Sequence, residues 1–460
     1  MQETRTGPRT APDARRMGHR MAWFSPLPPV RTGIAACSAD AIAGLRTRDF
    51  AIDPYPAEAA HEFPWRHAQR PYDLIVYQFG NSSHHDYEWA YALRYPGLVV
   101  LHDTHLHHAR AAFLLRERRA DDYRAEFRFA EPHVPPDIAE LAVAGFDSRL
   151  YYEWPMVRAL AESARLLAVH GDGARAQLRA RLLENGTTLS PESIVSLRLG
   201  HGEPVTPARA AAARATVRAR HGIAEDAVVF ICAGGLTPEK RIPHVLRAFA
   251  AIRSYAPSAH LLLAGAAASH YDIGADARAC GLTDGITITG YLQSDAELTD
   301  HLAASDVSLN LRWPTARETS GPWLRALAAG LATVITDLAH LGDVPSLDPR
   351  TWAVNAMGDR HRAPDPICIA IDILDEDHSL RLAMRRLASD AALREALGRA
   401  GQEYWTRNGT VHAMVDDYER IIPLAAARPA PDAALPRHLR DAGDRTLRAL
   451  LSPFALDLPW

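Results

Sequence analysis

A single lysine, Lys240, stands in a chain of 460 residues whose 51 lysines and arginines are otherwise all arginine. Arginine is a planar fork, whereas lysine is a compact point charge on a slim stem. Against such a bias, a retained lysine reads either as a chance survivor or as a position that needs that shape. Its setting suggests chemistry. The run Gly234-Gly235-Leu-Thr-Pro-Glu-Lys240-Arg241 follows the apolar stretch Ala227–Cys232. It precedes Ile242, Val245, Leu246, Phe249 and Ile252, which recur at helical spacing. Adjacent Lys240 and Arg241 at a strand-to-helix junction can neutralise a diphosphate. The plainer alternative is a helix start with solvated charges.

Two more loops have comparable chemistry. Ser25-Pro-Leu-Pro-Pro-Val-Arg-Thr-Gly33 leads into an Ala-rich helix, and free N–H groups at such a junction favour an anion. Asn310-Leu-Arg312-Trp-Pro-Thr-Ala-Arg317-Glu318-Thr319-Ser320-Gly321 follows another apolar run. There Thr319, Ser320 and the N–H groups around Gly321 could cradle phosphate, and Glu318 could accept hydrogen bonds from sugar hydroxyls. Tyr291, after Gly290, reads equally as a nucleobase neighbour or as a core residue. His102, His105, His107 and His108 could be taken with Asp103 as a metal cluster. A dense run in one segment rarely converges on an ion, so no metal site is assigned. His84 and His85 read mainly as surface residues, with a role near an acceptor as the alternative. No carboxylate pair stands out as a glycosidase-style nucleophile and acid.

The elements that must position these loops alternate between strand and helix. Strands are expected at Met21–Ser25, Phe50–Tyr55, Tyr72–Phe79, Gly97–His102, Leu166–His170 and Ile194–Leu199. A second set falls at Ala227–Cys232, His260–Ala264, Gly285–Thr289, Val307–Leu311 and Thr333–Thr336. Such alternation argues for two doubly wound parallel-sheet α/β domains facing a cleft, with ligands at the carboxyl ends of the strands. The expected division is a disordered leader (1–20), a first domain (21–205), a second domain (206–405), a helix (406–426) and a loosely ordered tail (427–460). The apolar fraction of 47% and charged fraction of 23% suit a globular chain. No run of 18 apolar residues, signal peptide or Cys-x-x-Cys pair is visible, which fits a reducing cytoplasm. A net charge of −4 argues against a dedicated nucleic-acid binder.

Together the motifs resemble the family 4 glycosyltransferases of the GT-B fold. That family carries Gly-Arg-Leu-x-x-Glu-Lys-Gly where this chain has Gly234–Arg241. A subgroup with Asn-Leu-Arg-x-Pro-x-x-Gly-Glu-Thr-Ser-Gly is similar to Asn310–Gly321. Ser25–Gly33, Tyr77-Gln78-Phe-Gly-Asn81 and Val99-Val-Leu-His102-Asp103 also look like that subgroup, so the resemblance spans about Met21 to Ile422. It implies retaining transfer of a sugar from a nucleoside-diphosphate sugar to an acceptor hydroxyl, with no cofactor or metal. Lys240, His102 and Glu318 would be the catalytic residues. Gly33, Gly235, Arg241, Tyr291, Thr319, Ser320, Gly321 and Arg325 would join Lys240 and Glu318 around the donor. Gln78, Asn81, His85 and Asp103 would lie on the acceptor side. A sugar or lipid-linked sugar would be the acceptor, in polysaccharide or glycolipid assembly, with room for peripheral contact at the inner membrane face. The helix Val411–Ile422 would cross back to the first domain. A GT-B epimerase or phosphorylase, or a non-catalytic nucleotide-sugar-binding protein, are the rival readings. Two departures from the pattern bear on donor binding: Gly235 stands where the family has a phosphate-binding arginine, and Arg325 where it has a second glutamate. Arg325 would then either replace the lost arginine or form a plain salt bridge with Glu318.

On this reading Lys240 and Arg241 stand where a metal would otherwise neutralise phosphate. Sugar transfer is expected to persist in excess chelator, checked by following nucleoside-diphosphate release. Complete inhibition rescued by Mg²⁺ or Mn²⁺ would contradict it.

Overall fold

In the computed structural model, residues 19–146, 149–187, 189–268, 271–355, 365–440 and 444–456 are described. The proposed leader lies almost entirely outside them. The first sheet comprises β1 (Arg20–Phe24), β2 (Ala51–Tyr55), β3 (Leu74–Phe79), β4 (Leu98–Leu101), β5 (Leu166–His170) and β6 (Ile194–Leu197). Its order is β2-β1-β3-β4-β5-β6 and every pairing is parallel. β3, β4 and β5 are buried at every position, as a sheet covered on both faces requires.

The second sheet comprises β7 (Val229–Ala233), β8 (His260–Ala264), β9 (Ile286–Gly290), β10 (Val307–Asn310), β11 (Ala332–Thr336), β12 (Ser346–Leu347), β13 (Val354–Asn355) and β14 (Cys368–Ile371). The order is β13-β12-β14-β11-β10-β7-β8-β9, parallel except where β13 meets β12. The last three strands were not foreseen. β12 and β13 have two residues each and show no alternation, and β14 is a four-residue apolar run.

Threonines set the starts of three helices that join or flank the sheets. Thr32 caps Gly33–Arg46, Thr206 caps Pro207–His221 and Thr410 caps Val411–Ala427, each hydroxyl accepting an N–H three residues on. This last helix follows the second sheet in sequence yet packs beneath the first. Met414, Tyr418, Ile421 and Ile422 share a core cluster with β1, β3 and the Gly33–Arg46 helix. Contact is close at Gly44, where a Cβ would meet Val415 Cγ2 at 2.5 Å. Part of the supposedly loose tail is also seated on the first domain. Leu435 is buried and His438 Nε2 lies 2.8 Å from Glu126 Oε1.

One ion pair pins this returning helix. Asp417 accepts from the Arg198 backbone N–H, Nε and Nη2, each at 2.9 Å. Burial alone would raise the Asp417 pKa, but these bonds outweigh it and hold the carboxyl below its ordinary range. A depressed carboxyl contributes stability above its unfolded pKa and loses it as pH falls through the folded value. Asp417→Asn is therefore expected to cost ~1–2 kcal/mol at pH 7. In denaturant titrations the gap from the parent should shrink below about pH 4.

Candidate functional site

The two sheets meet at their carboxyl edges. Asp103, just past β4, forms an antiparallel bridge with Glu318 in the loop after β10, and His105 N–H donates to Ala316 O at 3.0 Å. Below this junction is a pocket at the carboxyl ends of β7, β10 and β11, whose walls include Lys240, Asn310, Arg312, Glu318, Ser320 and His340.

Lys240 is placed as the sequence suggested. Its Nζ donates to Ala233 O at the end of β7. Gly234 has φ +87°, and a Cβ there would lie 2.9 Å from Nζ, so glycine keeps the space open. Burial pushes the Lys240 pKa down to about 7, and the Arg312 charge pushes the same way, against Cys232 and Glu318. Glu318 forms an ion pair with Arg312, Oε1 to Nε at 2.6 Å, and accepts from Thr315 Oγ1 at 2.7 Å. Each carboxylate oxygen keeps capacity for another donor. Asp103 Oδ2 accepts the Asn81 N–H at 2.6 Å. Burial, then the Glu318 charge, holds Asp103 above the usual carboxylate range. The cleft thus contains two carboxylates, one from each domain, a pairing that no spacing within the sequence reveals.

Gly33 and Gly235 both border open space among the described residues, since a Cβ on either would meet none of their atoms within 4 Å. That fits close approach by a ligand. Tyr291 is half-exposed and lies under Arg31 of the first domain, 4.8 Å from guanidinium carbon to ring centre. Ser320 lines the pocket, whereas Thr319 lines a neighbouring interdomain cavity. The phosphate cradle expected around Gly321 is reduced. Pro322 has no N–H, Ser320 Oγ takes the Trp323 N–H, and Gly321 packs against the His201 ring.

Other assignments are corrected. Arg241 turns away from the pocket and forms an ion pair with Glu376, Nε to Oε1 at 2.8 Å. It has φ +61°, and Arg317 has φ +62°. Both sit where the family motif has glycine, which explains the left-handed backbone. Arg325 pairs with Asp295 at 2.6 Å and donates to His201 Nε2 at 3.0 Å, so Glu318 is not its partner and it does not line the pocket. Gln78 and Asn81 are internal braces: Gln78 bonds Tyr418 and His102, and Asn81 Oδ1 accepts the Ala109 N–H. His85 is buried, not at the surface, with Nδ1 2.9 Å from Glu88 Oε1.

His102 has neither ring nitrogen left for a sugar hydroxyl. Nε2 faces Gln78 Oε1 at 2.8 Å, Nδ1 faces His170 Nε2 at 3.1 Å, and His170 Nδ1 faces Leu197 O at 3.1 Å. Two terminal carbonyl oxygens would need three protons on two rings, hence one positive charge. Burial lowers His102 strongly and takes His170 down to about 4, which disfavours that charge. A half-turn of the Gln78 amide resolves the conflict, giving N–H to His102 and carbonyl to the Tyr418 hydroxyl. His107 is engaged through one nitrogen, with Nε2 2.9 Å from the Tyr123 hydroxyl. Among the described residues, no three His, Cys, Asp or Glu are grouped to hold a metal ion.

Sequence reading missed His340. The only signal was a polar residue shortly after an apolar strand, which many loops share.

Two parallel-sheet α/β domains with facing carboxyl edges define the GT-B fold. Residues 227–354 match a family model described as glycosyl transferases group 1. No curated protein sequence matches the chain. The catalytic domain of starch synthase IV from Arabidopsis thaliana, solved with ADP and acarbose, is similar in structure with a TM-score of 0.59 at 10% identity, covering 89% of this chain and 100% of that one. Anabaena HepE, solved with UDP and glucose, gives 0.57 at 12% identity over 88% and 99%. WaaG, a glycosyltransferase involved in lipopolysaccharide biosynthesis, gives 0.52 at 16% identity over 87% and 99%. At these identities the likeness shows a shared fold.

A lysine with a pKa near 7 is half-uncharged at neutral pH, and a diphosphate beside it favours the charged form. A nucleoside diphosphate such as UDP or ADP, if it docks beside Lys240, should therefore drive proton uptake on binding. Affinity is expected to fall above pH 7, approaching tenfold per unit, until the pH reaches the pKa of the occupied site. Calorimetry in buffers of different ionisation enthalpy checks this. Lys240→Arg should flatten the dependence, because arginine stays charged.

Proposed function

We propose that this chain is a retaining, metal-independent glycosyltransferase, moving a sugar from a nucleoside-diphosphate sugar to an acceptor hydroxyl. The observation that carries the reading is the pocket lined by Lys240, Arg312 and Glu318, whose Glu318 is bridged through its main chain to Asp103 of the first domain. The match to glycosyl transferases group 1 and the fold shared with nucleotide-bound structures support it. In the reaction the bond from the anomeric carbon to phosphate breaks and a bond to the acceptor oxygen forms on the same face. The acceptor proton passes to the departing diphosphate. Negative charge grows on that diphosphate, and fixed cations stabilise it without reorganising. Lys240 and Arg312 are those cations, and Glu318 positions the sugar through its hydroxyls. A hexose donor, a sugar or lipid-linked sugar acceptor, and polysaccharide or glycolipid assembly at the inner membrane face complete the proposal. No helix among the described residues is long and apolar enough to cross a membrane.

One observation favours a second reading, a nucleotide-sugar-binding protein without turnover. Gly235 replaces the family arginine, and Arg241 and Arg325 are committed elsewhere, so the phosphate side has few cations. Slow donor hydrolysis separates the two. A transferase should release nucleoside diphosphate from its donor without acceptor, and Lys240→Ala should slow release by about 10² or more, ~3 kcal/mol of transition-state stabilisation. A parent that binds donor but releases nothing, with or without acceptor sugars, would establish the binding protein. Release by Lys240→Ala within threefold of the parent would remove Lys240 from the mechanism.

A further inference from the structure

His340 sits in the short helical turn Ala339–Leu341, after β11, and is 3% exposed. Among the described residues, neither ring nitrogen has a hydrogen-bond partner. A buried polar group without a partner is costly, and such groups in folded proteins call for an explanation. The ring lines the pocket that holds Lys240 and Glu318, and it also borders the adjoining interdomain cavity. The Glu318 main chain runs beside it without an aligned bond to either nitrogen. Asn310 lines the same pocket and has a buried, unpartnered Oδ1. The main chain of His340 is held from the other domain, since a Cβ on Gly173 would come within 2.6 Å of its carbonyl oxygen. The imidazole is thus fixed in place with its hydrogen bonding unspent.

We propose that His340, with Asn310, recognises the hydroxyls of the donor sugar. This rests on the donor-site reading above and assigns it a residue that sets sugar specificity. The wall formed by Glu318 and Asn310 is rich in acceptors, which repels phosphate oxygens and suits hydroxyl groups. Burial lowers the His340 pKa to about 4, so at neutral pH the ring is uncharged and offers one donor and one acceptor. A hydroxyl both donates and accepts, and so can complement both. Lys240 and Arg312 supply the phosphate side of the same pocket. A site built to hydrogen-bond a hydroxyl also rejects a sugar lacking it, because its own groups then stay unpaired.

Thermal-shift titrations of the full chain test this with UDP-glucose, GDP-mannose and ADP-glucose against UDP, GDP and ADP. The variants are His340→Phe, which keeps the ring volume, and His340→Asn, which returns one amide. His340→Phe should weaken the preferred nucleotide sugar at least tenfold while its nucleoside diphosphate binds within twofold. His340→Asn should recover part of the loss, and the ligand-free melting temperature of His340→Phe should equal or exceed the parent's. Equal loss for sugar nucleotide and diphosphate would overturn the proposal, as would no loss. So would a lower melting temperature in both variants, which would make His340 a packing residue. The parent's own titration reports separately on the donor site: a parent binding none of the six ligands would overturn that reading and this one together.

Discussion

The helix Val411–Ala427 is built from chain that follows the second sheet, yet its apolar stripe completes the core beneath the first. That forced return fixes how the two sheets face each other. Tyr418 lies 3.0 Å from the Gln78 amide, which contacts His102 at the end of β4, which contacts His170 at the end of β5. The chain of polar contacts ends on the Leu197 carbonyl at the end of β6. Four strand ends are thereby tied to one helix, and all are on the edge that meets the other domain. Within a buried network every member must be satisfied, so the arrangement is specific as well as cohesive. His102 helps shape the cleft by holding its strand end.

Electrostatics in the cleft follow from the same closure. Lys240 is enclosed enough to lose much of its hydration, and Arg312 adds repulsion. An ammonium so placed is poised to gain charge when an anion arrives. An arginine there would remain charged throughout, at the cost of a larger desolvated head. The only lysine in the chain therefore occupies a position where a tunable, slender cation has a use. Glu318 offsets part of the positive charge and is held by Arg312 and Thr315, so its orientation does not depend on a ligand.

Of the eleven strands legible in the sequence, the doubly covered β3, β4 and β5 write themselves most plainly, as continuous hydrophobic runs, whereas β14 is just as apolar but only four residues long. Short β12 and β13 leave no such trace. Lys240, Glu318 and Ser320 border the pocket because each lies in a loop that follows a strand's carboxyl end. Adjacency misled at Arg241: a left-handed backbone at that residue sends its side chain to Glu376 while Lys240 faces the pocket. Alignment to the motif misled at Arg325, which turns to His201 and Asp295. Motif position misled at His102 and Gln78, since a strand end can serve its own domain as well as a ligand. The Asp103–Glu318 pairing and the orphaned His340 were invisible for a different reason. Both depend on the approach of two domains, which no local pattern encodes.

Arginine in place of glycine at positions 241 and 317 carries a consequence for the site. A left-handed conformation at a residue with a Cβ costs about 1 kcal/mol, so both substitutions persist only if something offsets that cost. At Arg241 the offset is the Glu376 pair, which ties the loop carrying Lys240 to the helix Glu376–Ser389. At Arg317 the partner is His105 of the first domain, whose Nε2 accepts from Nε at 3.2 Å. Its neighbour Ala316 accepts the His105 N–H. Glycine would leave the loop carrying Glu318 free to pivot at this point. Arginine instead ties it to the opposing domain one residue before the carboxylate. Glu318 is thus placed by both domains at once, and any motion that opens the cleft must break the Arg317–His105 contact as it moves the Glu318 carboxylate.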